Sequence, residues 1–227
     1  MTKGTFIRWG GFALILWALH LLARDFTFAF THGSTESDMN LTFLGLNSLQ
    51  YARLWTAFGL LGLFGLAALY LQASPRLSKI GKAGFWVAFL GLALWFTSQV
   101  MQVWILDPDV DFHSPLVYGG WLLSLASYFV LAGGLVLAGI DVQRANALPG
   151  GRSLILIVGI LLLPTAIIVG KIVGNSDDSL PWKLLYGGIS VPYDLCWLWL
   201  GALLLAGTPG LSDSSTRAVS GGIGGQP

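Results

Sequence analysis

The chain has one cysteine, Cys196, and few charges: Lys, Arg, Asp and Glu together make up 10% of its 227 residues, against roughly 25% in a soluble domain. The single cysteine excludes intramolecular disulfides, dithiol relays and cysteine-cluster metal sites. The scarcity of charge, with a mean hydropathy of +0.72, excludes a soluble enzyme or a disordered chain. Also missing are a phosphate-binding Gly-x-x-x-x-Gly-Lys, a zinc-type His-Glu-x-x-His, a Gly-x-Ser-x-Gly nucleophile and repeated Asp-rich elements. A membrane enzyme usually carries one such motif, so a non-catalytic role is expected.

What is present is apolar length. Six runs, at residues 6–23, 54–71, 83–106, 116–140, 153–173 and 184–206, are each 18 to 25 residues long, and a hydrocarbon core needs about 20 helical residues to cross. Stretches such as 154–163 are apolar at every position, which fits helices and not the alternating strands of a barrel. The expectation is an all-α integral membrane protein, a six-transmembrane-helix bundle of three helical hairpins over residues 1–207. Residues 208–227, rich in Gly and Ser, carry too little apolar surface to offset their ordering entropy and are expected to be disordered. The first run has a basic start, but Leu22-Ala23-Arg24-Asp25 is a poor cleavage site, so it is read as a retained helix.

Orientation follows from the basic residues. With an even number of crossings both termini share a side, and that side holds Lys3, Arg8, Arg76, Lys79, Lys82, Arg144, Arg152 and Arg217. The other holds Arg24, Arg53, Lys171 and Lys183 beside Asp25, Glu36, Asp38, Asp107, Asp109, Asp111, Asp177 and Asp178. Eight against four places both termini in the cytoplasm. The composition is like that of small bacterial multi-pass proteins, which suggests a bacterial plasma membrane. The formal net charge of +1 is thus a dipole, basic inside and acidic outside, and gives no support to nucleic-acid binding.

The inner links are short and carry turn residues, Ser74-Pro75 in one and Pro149-Gly150-Gly151 in the other. The outer loop, residues 24–53, is the longest, and its two aromatic-rich halves flank a polar stretch and are expected to cap the bundle. It includes the sequon Asn40-Leu41-Thr42, read as a chance occurrence. Runs one, three and five each follow a basic residue (Arg8, Lys82, Arg152); triplication of a hairpin explains this, and so does the general charging of inner helix ends. Six tryptophans fall near run ends, as interfacial anchors do. Trp17, Trp95, Trp197 and Trp199 lie at mid-depth and are read as filling space between helices. Gly59, Gly62, Gly65, Gly120, Ser124, Gly134 and Ala138 mark where helices approach closely.

The candidate site residues are polar groups at membrane depth, because hydrocarbon penalises them unless they face a bundle interior or a wet cavity. At 1.5 Å per residue, His20 lies ~21 Å from the inner end of its run, and Gln99 and Gln102 ~24 to 29 Å along theirs. Together with Tyr118 and Asp194 they define an expected outward-facing pocket. Asp194 has two placements. In a helix from Leu184 it lies near mid-membrane, where a carboxyl could carry protons; in a helix from Val191, after which Pro192 suits a first turn, it favours the helix dipole. Lys171 and Arg53 are its possible partners.

Three functions remain. The leading one is a non-catalytic membrane protein, either an accessory subunit of a larger membrane complex or a binder of a small apolar ligand in the outward pocket. The second is a small proton- or ion-coupled transporter using Asp194. The third is a carrier of haem or a chlorin pigment using His20 or His113, although no ligand-type histidine spacing occurs. Beyond the lipid bilayer and other membrane subunits, no partner is implied.

Overall fold

The computed structural model describes residues 1–31, 48–105, 115–172 and 188–207. Six helices occupy most of them: α1 Lys3–Thr31, α2 Ser48–Ala73, α3 Lys79–Val103, α4 Pro115–Arg144, α5 Leu154–Ile172 and α6 Val191–Ala206. No strand occurs among the described residues. Five segments are long and apolar enough to cross a membrane, namely Lys3–Ala23, Ala52–Arg76, Lys79–Val103, Pro115–Arg144 and Gly188–Ala206; the apolar part of α5, Leu154–Ile167, is shorter. This is the make-up of a helical membrane bundle.

Each helix packs against its neighbours in sequence, and α6 packs back on α1. Glycines set several of these contacts. A Cβ on Gly84 of α3 would stand 2.5 Å from the Ala138 amide nitrogen and 2.9 Å from the Gly134 carbonyl of α4, and Gly134 in turn lies against Ala88 and Gly84. The same pattern joins α4 to α5 through Gly139 and Leu156, and α1 to α6 through Gly11 and Gly201, whose built Cβ atoms would each lie 2.8 Å from the other's carbonyl oxygen. Early residues of one helix meet late residues of the next, so these pairs are antiparallel. Lipid offers no hydrophobic drive for helices to associate, and such close backbone approach supplies the dispersion contact instead.

Antiparallel packing gathers Lys3, Arg8, Arg76, Lys79, Lys82, Arg144 and Arg152 at one end of the bundle, the basic end. There Asp141, in the last turn of α4, accepts from the Ser78 amide at 2.7 Å and from the Ser78 hydroxyl at 3.0 Å. The Ser78 oxygen in turn accepts from the Ile80 and Gly81 amides, which caps the otherwise unsatisfied start of α3. Asn146 ends α4 with a φ of 47°, a left-handed conformation that Asn tolerates. Its carbonyl accepts from Arg76 at 3.1 Å, tying the two links at this end together.

Helix ends differ from the hydropathy runs. α1 continues past residue 23 to Thr31 and α2 begins at Ser48, so part of the expected 24–53 loop is helical. The cause is that backbone hydrogen bonding does not stop at the charged pair Arg24-Asp25 that ends the apolar run. The last helix begins at Val191 after one wide turn at 188–190. This is the second of the two placements for Asp194. The sequon at 40–42, the acidic loop segments, His113 and the 208–227 tail lie outside the described residues.

Candidate functional site

A cavity of about 60 Å³ lies between the helices, and each of the six contributes to its wall. On α1, Trp17, Leu21 and Asp25 line it at four-residue spacing, which stacks them along one helix face. Across from them stand Trp55 of α2, Trp95 of α3 and Tyr128 of α4, with Thr165 of α5 and Tyr193 of α6, and with Ser190 just before α6. Contributions from α3, α4 and α5 come in pairs three residues apart, such as Leu92 with Trp95. The cavity reaches from the middle of the bundle, at Trp17, Leu92, Leu131 and Leu162, toward the end away from the basic residues, where Asp25, Trp55 and Ser190 stand.

Small residues make room for the large rings. A Cβ on Gly59 would stand 2.7 Å from the Trp95 ring, and one on Gly62 would stand 2.9 Å from the Trp17 ring, so α2 accepts both indoles in notches. Trp17 also meets Trp197 of α6 at a centroid distance of 5.2 Å, Trp197 meets Tyr193 at 6.1 Å, and Trp55 meets Trp95 edge-on at 5.4 Å. The indole N–H groups of Trp17 and Trp197 are buried with no hydrogen-bond partner among the described residues. In an apolar medium an unsatisfied donor costs about 1–3 kcal/mol. Trp17 is the one of these two indoles that belongs to the cavity wall.

Among the described residues two carboxyl groups are fully buried, Asp25 in the cavity wall and Asp194 in the first turn of α6. Asp194 is next in sequence to Tyr193 but does not itself line the cavity. Other polar groups nearby are satisfied within their own helices: Ser98 donates to the Trp95 carbonyl at 2.7 Å, and Thr165 to the Leu161 carbonyl at 2.9 Å beside Pro164.

The five residues expected to form the pocket are not its lining. His20 stacks flat on Phe58 with centroids 4.4 Å apart and planes 13° apart. Gln99 is buried, and Gln102 packs over Gly120 with its amide nitrogen unpartnered among the described residues. Tyr118 is 62% exposed, on an outer face of α4. Arg53, expected near Asp194, donates to the Val103 carbonyl at 2.9 Å and lies over the Trp104 ring at 5.8 Å; the Lys171 side chain is outside the described residues.

Sequence reasoning missed Asp25, Trp55, Tyr128, Thr165 and Ser190 as wall residues. The i, i+4, i+8 series Trp17, Leu21, Asp25 was the available signal, and it becomes visible only if α1 is carried through the charged pair. No group of three or more His, Cys, Asp or Glu residues that could hold a metal occurs among the described residues. Compared with known protein families, curated proteins and solved structures, the chain has no match. Chemically, an aromatic cage with one buried carboxylate suits a small ligand with an apolar body and a cationic or hydrogen-bond-donating group.

Proposed function

We propose that the chain is a non-catalytic multi-pass membrane protein, six crossings arranged as three hairpins with both termini cytoplasmic, that binds a small ligand in the cavity among its helices. The observation that carries this is the wall itself: five helices converge five aromatic side chains and Asp25 on one space, and α5 completes it with Leu162 and Thr165. With the basic end in the cytoplasm, the part of the cavity at Asp25, Trp55 and Ser190 is its outer part, and ligand enters from that side. The room is small, sufficient for a few waters or a compact organic group. The accessory-subunit role is compatible with this, the ligand then being a chemical group presented by a partner.

Topology is checked in a Cys196→Ser background. A membrane-impermeant thiol reagent added to intact cells should label a cysteine placed at Ser34 and spare one at Ser214; the reverse pattern would sink the orientation.

Ligand binding is checked by tryptophan fluorescence of the protein in nanodiscs, with tert-butylammonium and its neutral isostere tert-butanol as probes. A saturable change is expected for the ammonium, weaker for the alcohol, and absent for both in a Leu162→Trp variant that fills the space. No saturable response, or one that Leu162→Trp leaves intact, overturns the reading. The second reading, a proton- or ion-coupled transporter, is favoured by the full burial of Asp194 beside that of Asp25. Uptake of the same ammonium into proteoliposomes that Asp194→Asn abolishes would move the protein from binder to carrier. For a haem or pigment carrier, His20 has one ring face already covered by Phe58, and no observation favours that reading.

A further inference from the structure

The basic end has a second, larger cavity. Its rim is built from the first turns of α1 and the last turn of α2, where Lys3, Arg8 and Gln72 stand; its depth is walled by Leu69 of α2 and by Leu200, Leu203 and Leu204 of α6. The volume is about 740 Å³, within the ~300–1,000 Å³ of sites that enclose a whole organic ligand. Leu200 and Leu204 are buried and Lys3 and Arg8 are exposed, so the site has an apolar floor and a cationic mouth. Neither Lys3 nor Arg8 makes a hydrogen bond or ion pair among the described residues. The acidic residue closest to the helix ends here, Asp141, is already engaged by Ser78, and Arg76 is spent on the Asn146 carbonyl.

Two cations over an apolar hollow at the level where a membrane-spanning bundle meets its headgroups complement one kind of molecule. We propose that this cavity holds an anionic glycerophospholipid of the leaflet at the basic end, its phosphate on Lys3 and Arg8 and its upper acyl chain along Leu69, Leu200 and Leu203. A zwitterionic lipid brings its own ammonium group to the mouth and meets repulsion there. The chain's own tail is the competing occupant, because it departs from Gly207 on the cavity wall. It lacks the complementary charge: between residues 208 and 227 Asp213 and Arg217 balance one another.

The test is native mass spectrometry of the delipidated full-length chain titrated with phosphatidylglycerol, phosphatidylcholine of the same acyl chains, and glycerol 3-phosphate. Phosphatidylglycerol should be retained about 10-fold or more over phosphatidylcholine, as two well-placed cations allow, and glycerol phosphate should not be retained. Lys3→Gln with Arg8→Gln should remove the preference, whereas Lys79→Gln with Lys82→Gln, an equal loss of charge at the same end, should keep it. Since charge removal near α1 can also disturb insertion, Leu203→Trp supplies a charge-neutral arm and should reduce lipid uptake by filling the hollow. Equal loss in both double variants means general surface charge and overturns the site. Retention of glycerol phosphate alone means a free-phosphate site. Increased lipid uptake in Leu211→Asp means that the tail occupies the cavity, and it too overturns the proposal.

Discussion

Gly134→Val should largely abolish folding of the bundle, while Gly133→Val, one residue away, should leave it nearly unchanged. At Gly134 the added carbon would collide with the backbone of Ala88 and lie 2.8 Å from the Gly84 carbonyl; at Gly133 nothing lies within 4 Å. Overpacking usually costs about 1–3 kcal/mol because side chains can shift. Here the opposing atoms are backbone in a helix, which has no rotamer to change, so the cost should exceed ~3 kcal/mol. Unfolding in mixed micelles, followed by tryptophan fluorescence, gives the comparison. Equal stabilities for the two variants would mean that α3 and α4 do not meet on this face.

Trp197→Ala should cost ~2–3 kcal/mol, and Trp199→Ala less than ~0.5 kcal/mol. The two indoles are two residues apart on α6 yet face different surroundings: Trp197 is 2% exposed against Trp17 and Tyr193, and Trp199 is 58% exposed. In a soluble core, losing a large ring costs about 3–5 kcal/mol. Lipid is as apolar as the bundle interior, so the transfer part of that cost falls away and the void and lost dispersion contacts remain. The void opens beside Trp17, so the emission of the remaining tryptophans should also shift in Trp197→Ala and not in Trp199→Ala. A pattern in which Trp199 is the costlier loss would reverse the orientation of α6.

The same pair of residues shows where sequence reasoning stops. Length and hydropathy locate a crossing because the bilayer demands a continuous apolar stretch, and α3 and α4 fall close to their expected runs. The rotation of each helix about its axis is a different matter. In a soluble helix the polar face announces itself; here lipid and core are both apolar, so Trp197 and Trp199 read alike and Tyr118 could not be told from an inward-facing tyrosine. Small residues were legible because their meaning does not depend on contrast with water: Gly59, Gly62 and Gly134 do receive a ring or a backbone. Asp25 was hidden for the opposite reason. A carboxyl just past an apolar run reads as an interfacial charge, and only the continuation of α1 turns it inward onto the face of Trp17 and Leu21. Asp194 had two placements in the sequence, and the helix start at Val191 puts it in the first turn, buried and beside the cavity wall, a choice that the apolar run alone does not make.

The contact of α6 with α1 has a consequence for how the protein is made. Contacts between helices adjacent in sequence can form as each second helix emerges, whereas the Gly11–Gly201 seam joins the first of the six helices to the sixth and must wait until the four between them have been made. Until then α1 presents an open glycine notch, and Asp25 faces a space that lacks its last wall. Until α6 is made, the α1 face that carries Gly11 and the cavity wall have no partner from it. Arrival of α6 ends that exposure by closing the Gly11–Gly201 seam.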